Sequence, residues 1–265
     1  GTGDALCDYQ IVTQLDYRLN PEHPPLIKDL AAFPLLFING STGSPQRGIN
    51  FPSEIKDWQE DINGQWGFGS YFLYKTGNPA DLMIFWGRIP MILVLILLGF
   101  YIFKWSRELF GNKAAILSLF LFSSSPTFLA HGRLVTTDVG AAAGVFIATY
   151  YFIKALKEGS KKNIIFAGIS FGLAELLKFS VILLIPFFIF ISLIWWIFKL
   201  GKFTQTLKVL LLTFVIGFIV IWPFYQYHVA NYPAERQARD TQFLLSSHPI
   251  KWSGPVLSWV AQQPI

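Results

Sequence analysis

Long apolar blocks separated by short polar stretches dominate the sequence after residue 82. A transmembrane helix needs about 20 mostly apolar residues to cross roughly 30 Å of hydrocarbon. The blocks that satisfy this requirement, alone or with a few flanking residues, are 83–103, 114–130, 139–153, 163–198 and 209–227. Because 163–198 is too long for one crossing, we expect it to form a hairpin that turns near Lys178. The pattern therefore predicts about six transmembrane helices.

The composition supports an all-α polytopic membrane protein. Hydrophobic residues make up 53% of the chain and charged residues 14%, with a mean hydropathy of +0.45, whereas soluble domains contain about 25% charged residues. The single cysteine, Cys7, excludes an intramolecular disulfide, so helix packing must hold the fold.

The positive charges indicate how the helices are oriented. Ten of the 21 basic residues lie in the short loops 104–113, 154–162 and 199–208, where only Glu108 and Glu158 oppose them. Loops rich in lysine and arginine stay in the cytoplasm, so these three loops are expected to share that face. The net charge of +5 therefore reflects the membrane topology of the chain. Without a basic stripe carrying interleaved aromatic residues, we expect no nucleic-acid partner.

This topology predicts the domain organisation. Residues 1–82 form a first outer-face loop, 83–227 the six-helix transmembrane region, and 228–265 the start of a second outer-face loop. We expect a multi-pass protein of the plasma (inner) membrane, with both loops on the periplasmic or extracellular side. Within the first loop, residues 24–37 form a proline-initiated amphipathic stretch, which suits interfacial helices. Aromatic residues of the kind favoured in the headgroup layer are Trp58, Trp66, Tyr71 and Tyr74.

Glu22 and His23 stand out on the outer face because Pro21 precedes them and Pro24 and Pro25 follow them. The prolines restrict the backbone and present both side chains at a fixed angle before a helix. A carboxylate and an imidazole held this way can bind a metal or orient an anionic ligand. The alternative is a helix-entry signal, in which Glu22 only interacts with the first-turn amides.

Asp138 opens a helix at the outer face. The same helix begins with Gly140 and Gly144, a small-residue face that lets another helix approach closely. Asp138 can act as a general base or a metal ligand. It can also be a dipole partner behind an N-cap at Thr136 or Thr137, and the two roles are compatible.

Further charged residues lie close to the membrane. Glu175 and Lys178 are three residues apart and can pair on one helix face, or Lys178 can reach a phosphate at the outer interface. Arg88 can snorkel to lipid headgroups or contact a phosphate. In the tail, side chains able to contribute ligands are His228, Glu235, Arg236, Arg239, Asp240 and His248.

Several sequence motifs occur in order over about residues 16–190. They are Asp16-Tyr17-Arg18-Leu19-Asn20-Pro21-Glu22-His23-Pro24-Pro25-Leu26, Gly87-Arg88-Ile89-Pro90, Ser125-Pro126, His131-Gly132-Arg133, Thr137-Asp138 and Gly172-Leu173-Ala174-Glu175-Leu176-Leu177-Lys178-Phe179. With these motifs the chain resembles the GT-C-like membrane glycosyltransferases that use polyprenyl-phosphate sugars. That family includes the protein O-mannosyltransferases and the aminoarabinose transferase of lipid A.

The resemblance implies an inverting, carboxylate-assisted transfer of a sugar from a polyprenyl-phosphate carrier to a hydroxyl of a protein, lipid or glycan. Asp138 resembles the second of the family's two outer-face carboxylates, and Glu22 resembles the acid of its Glu-x-Pro-Pro element. Contacts to the donor phosphate are then expected from His23, Lys178, Arg88 and Arg133. Independently of the resemblance, a divalent metal ion is the candidate cofactor, with Glu22 and His228 as the candidate ligands. Membrane lipids are the other expected partners.

The chain departs from the family pattern near its start. The family carries an Asp-Glu pair shortly after a first membrane helix, and neither feature occurs in this sequence. Asp4 is the candidate for the principal base, Asp8 fits less well, and the base can also lie upstream of Gly1. His23 stands where some members have a phosphate-contacting lysine. Family members also carry further helices and usually a C-terminal soluble domain. The resemblance therefore implies a chain that is incomplete at both ends.

Two other functions are compatible with the sequence. A noncatalytic GT-C-fold subunit of a larger membrane complex would explain the missing Asp-Glu pair. A transporter would be expected to carry broken helices and buried charge in two matched halves. Glu175 and Lys178 are the only charged pair that hints at a transporter, and no second half of the sequence carries a matching pair.

Overall fold

Helices make up all the regular structure in a computed structural model of the chain, which describes residues 19, 23–38, 49–62 and 64–246. In these ranges the α-helices are α1 Leu26–Ala32, α2 Lys56–Gln59, α3 Gln65–Tyr74, α4 Ala80–Phe110, α5 Asn112–Ser123, α6 Pro126–His131, α7 Thr137–Glu158, α8 Lys161–Glu175, α9 Leu184–Ile197, α10 Phe203–Val229 and α11 Ala234–Ser246. Short 3₁₀ helices at Phe33–Phe37 and Phe179–Leu183 follow α1 and precede α9. The predicted all-α fold class is confirmed.

Helices form at every predicted apolar block. Among the described residues, four helical segments are long and apolar enough to cross a membrane: Ala80–Phe110, Thr137–Glu158, Phe179–Ile197 and Phe203–Val229. The predicted crossing at 114–130 is divided into α5 and α6 because Ser125, which precedes Pro126, is extended. The predicted crossing before Lys178 is the 15-residue α8. The chain is therefore a polytopic membrane protein in which two of the predicted crossings are shorter than expected.

Glycines end two of the three helices that lead into the basic segments. Gly111 (φ 84°) follows α4 and Gly159 (φ 62°) follows α7, in backbone conformations that a residue without a side chain adopts readily. At the same end of the bundle, the Tyr150 hydroxyl of α7 donates a hydrogen bond to Glu108 of α4 at 2.9 Å. Lys154 Nζ also lies 3.7 Å from Glu108. The basic segments 104–113 and 154–162, predicted as loops but mostly helical in the structure, therefore lie side by side.

Small residues allow α8 to pack closely against α7 and α10. A Cβ added to Gly144 of α7 would lie 2.9 Å from the Ala174 Cβ of α8. A Cβ added to Gly172 of α8 would lie 2.7 Å from the carbonyl oxygen of Gly217 in α10. The small-residue face predicted at Gly144 is thus a helix contact.

We expect Gly172→Ala to destabilise the protein by about 1–3 kcal/mol, because the new Cβ meets backbone atoms of α10 that no side-chain rotation can move. Thermal unfolding in detergent would show the effect as a lower midpoint. Ser170→Ala is the matched control on the same helix, since the Ser170 hydroxyl bonds only to the helix's own backbone. An unchanged midpoint for Gly172→Ala would contradict close packing of α8 on α10.

A separate hydrophobic cluster lies beneath α1 and α3. Its fully buried members include Ile27, Leu35, Phe68, Phe72 and Met83. Trp58 belongs to this cluster and is 4% exposed, with its ring 5.1 Å from that of Phe51. The prediction that Trp58 faces the headgroup layer is therefore wrong, whereas Trp66, Tyr71 and Tyr74 are exposed.

The two predicted outer-face loops contact each other through α11. Arg236 donates hydrogen bonds to backbone carbonyl oxygens at the end of α2, namely those of Trp58 at 2.8 Å, Asp61 at 3.0 Å and Gln59. A cation placed there satisfies carbonyl groups that the helix leaves unpaired. Asp240, 3% exposed, holds Arg236 in turn. Both residues, predicted as candidate ligands, act in this contact.

Candidate functional site

Asp138 lies in the first turn of α7. Thr136 is the N-cap residue and is extended (φ −128°, ψ 155°), although its side chain makes no capping hydrogen bond. The N-terminal end of a helix favours a negative charge, so this position stabilises an ionised carboxylate. The side chain of Asp138 is 58% exposed and can therefore meet a ligand from outside the bundle.

The partner of Asp138 is Lys178, from the turn after α8. Lys178 Nζ lies 2.6 Å from Asp138 Oδ1, and the lysine side chain is 31% exposed. The two residues are 40 positions apart but meet because α7 and α8 form an antiparallel hairpin that turns at Gly159. We call them the acid–lysine pair. It lies at the end of the hairpin opposite the basic loop 154–162.

The pairing of Glu175 with Lys178, one of the two alternatives for these residues, is not formed. Because α8 ends at Glu175 and Lys178 is extended (φ −161°, ψ 137°), the helical three-residue spacing no longer applies. Glu175 Oε1 is buried and has no hydrogen-bond partner among the described residues. Lys178 binds Asp138 instead, and its contact with a phosphate stays a prediction.

The start of α1 is fixed next to the acid–lysine pair. The Leu26 backbone N–H donates to the carbonyl oxygen of Leu176 at 3.1 Å. Ile27 is 1% exposed, and a Cβ added to Gly140 of α7 would lie 2.5 Å from its Cδ1. The turn formed by Pro24 and Pro25 before α1, both of them buried, is therefore held against the two segments that carry the pair.

The structure covers only part of the predicted proline-bounded element. His23 is half-buried at the start of the turn before α1. Glu22 and Asp4 lie outside the described residues, as does His248, so their roles stay predictions.

Arg88 lies on α4, next to the hydrophobic cluster beneath α1 and α3. Met91, one helical turn later, packs in the hydrophobic cluster that also contains Val135 and Leu177, which flank the acid–lysine pair in the chain. Arg88 Nε is buried without a hydrogen-bond partner in the described part of the chain. A buried donor that lacks a partner is costly, so this group is suited to a ligand or a water molecule.

Arg133 is exposed in the turn between α6 and α7. It precedes Asp138 by five residues and so lies at the same end of the bundle. A direct contact between the two side chains is not observed. Its predicted contact with a donor phosphate stays a prediction.

Both ring nitrogens of His228 are engaged. Nδ1 lies 2.6 Å from the carbonyl oxygen of Phe224, and Nε2 lies 3.0 and 2.9 Å from the two carboxylate oxygens of Asp29. A metal ion on His228 would have to displace one of these groups. Within the described ranges, no three His, Cys, Asp or Glu side chains come together as a metal site. The predicted metal role of Glu22 and His228 stays a prediction.

Asp29 is the residue that sequence reasoning missed. In the sequence it resembles an ordinary first-turn acid of a short helix, and its partner His228 is 199 positions away. No local pattern connects two residues at that distance.

The comparison with known proteins bears on the bundle that carries this site. The sequence profile of the dolichyl-phosphate-mannose-protein mannosyltransferase family matches residues 82–227, which include both members of the acid–lysine pair. Comparisons with curated proteins and with solved structures gave no match. Because the profile covers more than half of the chain, the protein belongs to the dolichyl-phosphate-mannose-protein mannosyltransferase family, which consists of GT-C-type membrane glycosyltransferases.

Proposed function

We propose that this protein moves a sugar from a polyprenyl-phosphate carrier to an acceptor hydroxyl at the outer face of the membrane. The observation that carries the proposal is the acid–lysine pair, in which an exposed carboxylate and an ammonium group lie 2.6 Å apart. The family match supports a lipid-linked sugar donor.

The reaction requires a base for the acceptor and a cation for the leaving group. The acceptor oxygen attacks the anomeric carbon from the side opposite the carrier, and its proton passes to the Asp138 carboxylate. The bond between the anomeric carbon and the phosphate oxygen breaks, and both electrons stay on the phosphate. This displacement inverts the anomeric carbon. A positioned general base contributes about 10²–10⁴-fold to such a rate.

Binding of the donor phosphate to Lys178 releases Asp138 from its ion pair. A donor phosphate competes with Asp138 for the Lys178 ammonium group, and a charge aimed at the leaving phosphate stabilises the negative charge that develops there. Once Lys178 binds the phosphate, the Asp138 carboxylate can accept a hydrogen bond from the acceptor hydroxyl. Donor binding therefore precedes productive acceptor binding.

The remaining candidate residues take supporting roles in the proposal. His23, Arg88 and Arg133 contact the donor phosphate, and the unpaired Nε of Arg88 supports its part. Glu22 and Asp4 are further catalytic carboxylates, with Asp4 the alternative to Asp138 as the base. A divalent metal at Glu22 and His228 is not needed for any step of the displacement described above.

The proposed setting is the plasma (inner) membrane, with the acid–lysine pair on the periplasmic or extracellular side. The basic loops at the opposite end of the bundle support this orientation. The acceptor is a hydroxyl of a protein, lipid or glycan.

Cysteine labelling tests the orientation. In a Cys7→Ser background, His131→Cys should react with a membrane-impermeant maleimide in intact cells, whereas Lys157→Cys should react only after permeabilisation. Both residues are exposed, and they lie at opposite ends of the bundle. The reverse labelling pattern would put the acid–lysine pair in the cytoplasm and overturn the outer-face assignment.

A choice of donors tests the substrate class. The purified intact protein in lipid vesicles, supplied with a membrane extract as acceptor, is offered labelled mannose on polyprenyl phosphate or on GDP. We expect label to leave the lipid carrier and not the nucleotide. Transfer from GDP-mannose alone would contradict the proposal.

A further inference from the structure

A buried hydrogen-bonded pair joins α1 to the end of α10. His228 Nδ1 lies 2.6 Å from the Phe224 carbonyl oxygen, which can only accept, so Nδ1 carries a proton and the ring orientation is fixed. In this orientation Nε2 faces both carboxylate oxygens of Asp29, at 3.0 and 2.9 Å, and the hydrogen bond between them needs a second proton, on Nε2 or on the carboxyl group. The two side chains are 2% and 18% exposed, so water competes little for the contact.

This pair holds α1 on the side away from α7. Ile27 packs against Gly140 of α7, and Asp29 follows two residues later, about 200° around the helix. On the α10 side the packing is sparse, because a cavity of about 330 Å³ is lined by Asp29, Phe33, Pro223, Phe224, Tyr227 and His228. The Asp29–His228 contact is therefore a buried polar link between α1 and α10 at the edge of this cavity.

We propose that Asp29 and His228 are positioning residues, which set the angle of α1 and thereby the place of the proline turn beside the acid–lysine pair. Asp29 is less than one helical turn from Leu26, whose N–H is bonded to Leu176. The inference rests on the proposed function, because this turn carries His23, the proposed donor-phosphate contact. The pair itself takes no part in bond making or breaking.

Loss of the pair is expected to affect donor binding selectively. Without it, α1 keeps its packing on the hydrophobic cluster but loses its polar link to α10, and a shift of its first turn displaces His23 while Asp138 stays in α7. We expect Asp29→Leu and His228→Leu each to raise the donor KM about tenfold. The acceptor KM should stay unchanged.

Two further variants separate the hydrogen bond from other effects of substitution. An amide can donate or accept at the same place, so Asp29→Asn should keep the donor KM within about twofold of wild type. The double variant Asp29→Leu/His228→Leu should be no worse than either single variant, because both remove one shared contact.

Hydrogen–deuterium exchange of residues 24–37 gives a readout that needs no substrate. The amides of this segment should exchange faster in both leucine variants and near the wild-type rate in Asp29→Asn. Unchanged exchange in the leucine variants would overturn the link between α1 and α10.

The kinetic outcomes decide the positioning role. A raised donor KM that Asp29→Asn restores supports it. A smaller active fraction with both KM values unchanged would show that the pair only stabilises the fold, and would overturn it. If the wild-type protein transfers no sugar from any of a panel of polyprenyl-phosphate sugars that includes mannose, the proposed function fails and the positioning role with it. The exchange rates still decide whether the link between α1 and α10 exists.

Discussion

Asp138→Asn is expected to lower kcat for sugar transfer by about two to four orders of magnitude while the protein stays folded. Asparagine has nearly the same shape as aspartate but cannot take the proton of the acceptor hydroxyl. The lost contact with Lys178 costs little stability, because ion pairs with exposed members contribute about 0–1 kcal/mol. The measurement is a single-turnover rate with polyprenyl-phosphate mannose, together with a thermal unfolding midpoint.

Asp81→Asn is the matched control for this experiment. Asp81 is an exposed acid in the first turn of α4, so it shares the helix position of Asp138 without the lysine partner. Its variant should transfer sugar at the wild-type rate. A wild-type rate for Asp138→Asn as well would remove Asp138 from the mechanism.

Lys178→Gln is expected to raise the donor KM by one to two orders of magnitude, since a hydrogen bond to a charged group contributes about 1.5–3 kcal/mol. The glutamine side chain keeps a hydrogen-bond donor at a similar length but has no charge that can pair with the phosphate. Lys178→Arg keeps the charge, so its donor KM should lie between those of the wild type and Lys178→Gln. Initial rates at varied donor concentration give the KM.

Lys157→Gln controls for the loss of one lysine. Lys157 is exposed in the last turn of α7, at the other end of the bundle, so this change should leave the donor KM unaltered. Equal donor KM values for the Lys157 and Lys178 variants would mean that Lys178 does not contact the phosphate.

Local signals were sufficient for much of the fold. Glycine at 111 and 159 ends helices for backbone reasons that act within a few residues. The proline after Ser125 is an equally local signal, which the predicted crossing at 114–130 did not take into account. Gly144 could be recognised as a helix contact because small residues at helical spacing have few other uses in a membrane. These features depend little on distant parts of the chain, and the structure contains each of them.

The site was only partly predictable, because its contacts join distant segments. Asp138 and Lys178 were each predicted as candidates, and the expected hairpin already placed both at one end of the bundle, which is the signal that could have paired them. Local spacing favoured Glu175 instead, and failed because α8 ends before Lys178. The contact between Asp29 and His228 depends on how α1 docks on α10, which no local pattern encodes.

The configuration of the newly formed glycosidic bond shows whether the sugar is transferred in a single displacement. The intact protein is incubated with polyprenyl-phosphate mannose and acceptor, and NMR determines the anomeric configuration of the product. A single displacement by the acceptor oxygen, with Asp138 as base, predicts a configuration opposite to that of the donor. Retained configuration, or a sugar that never leaves the carrier, would contradict the account.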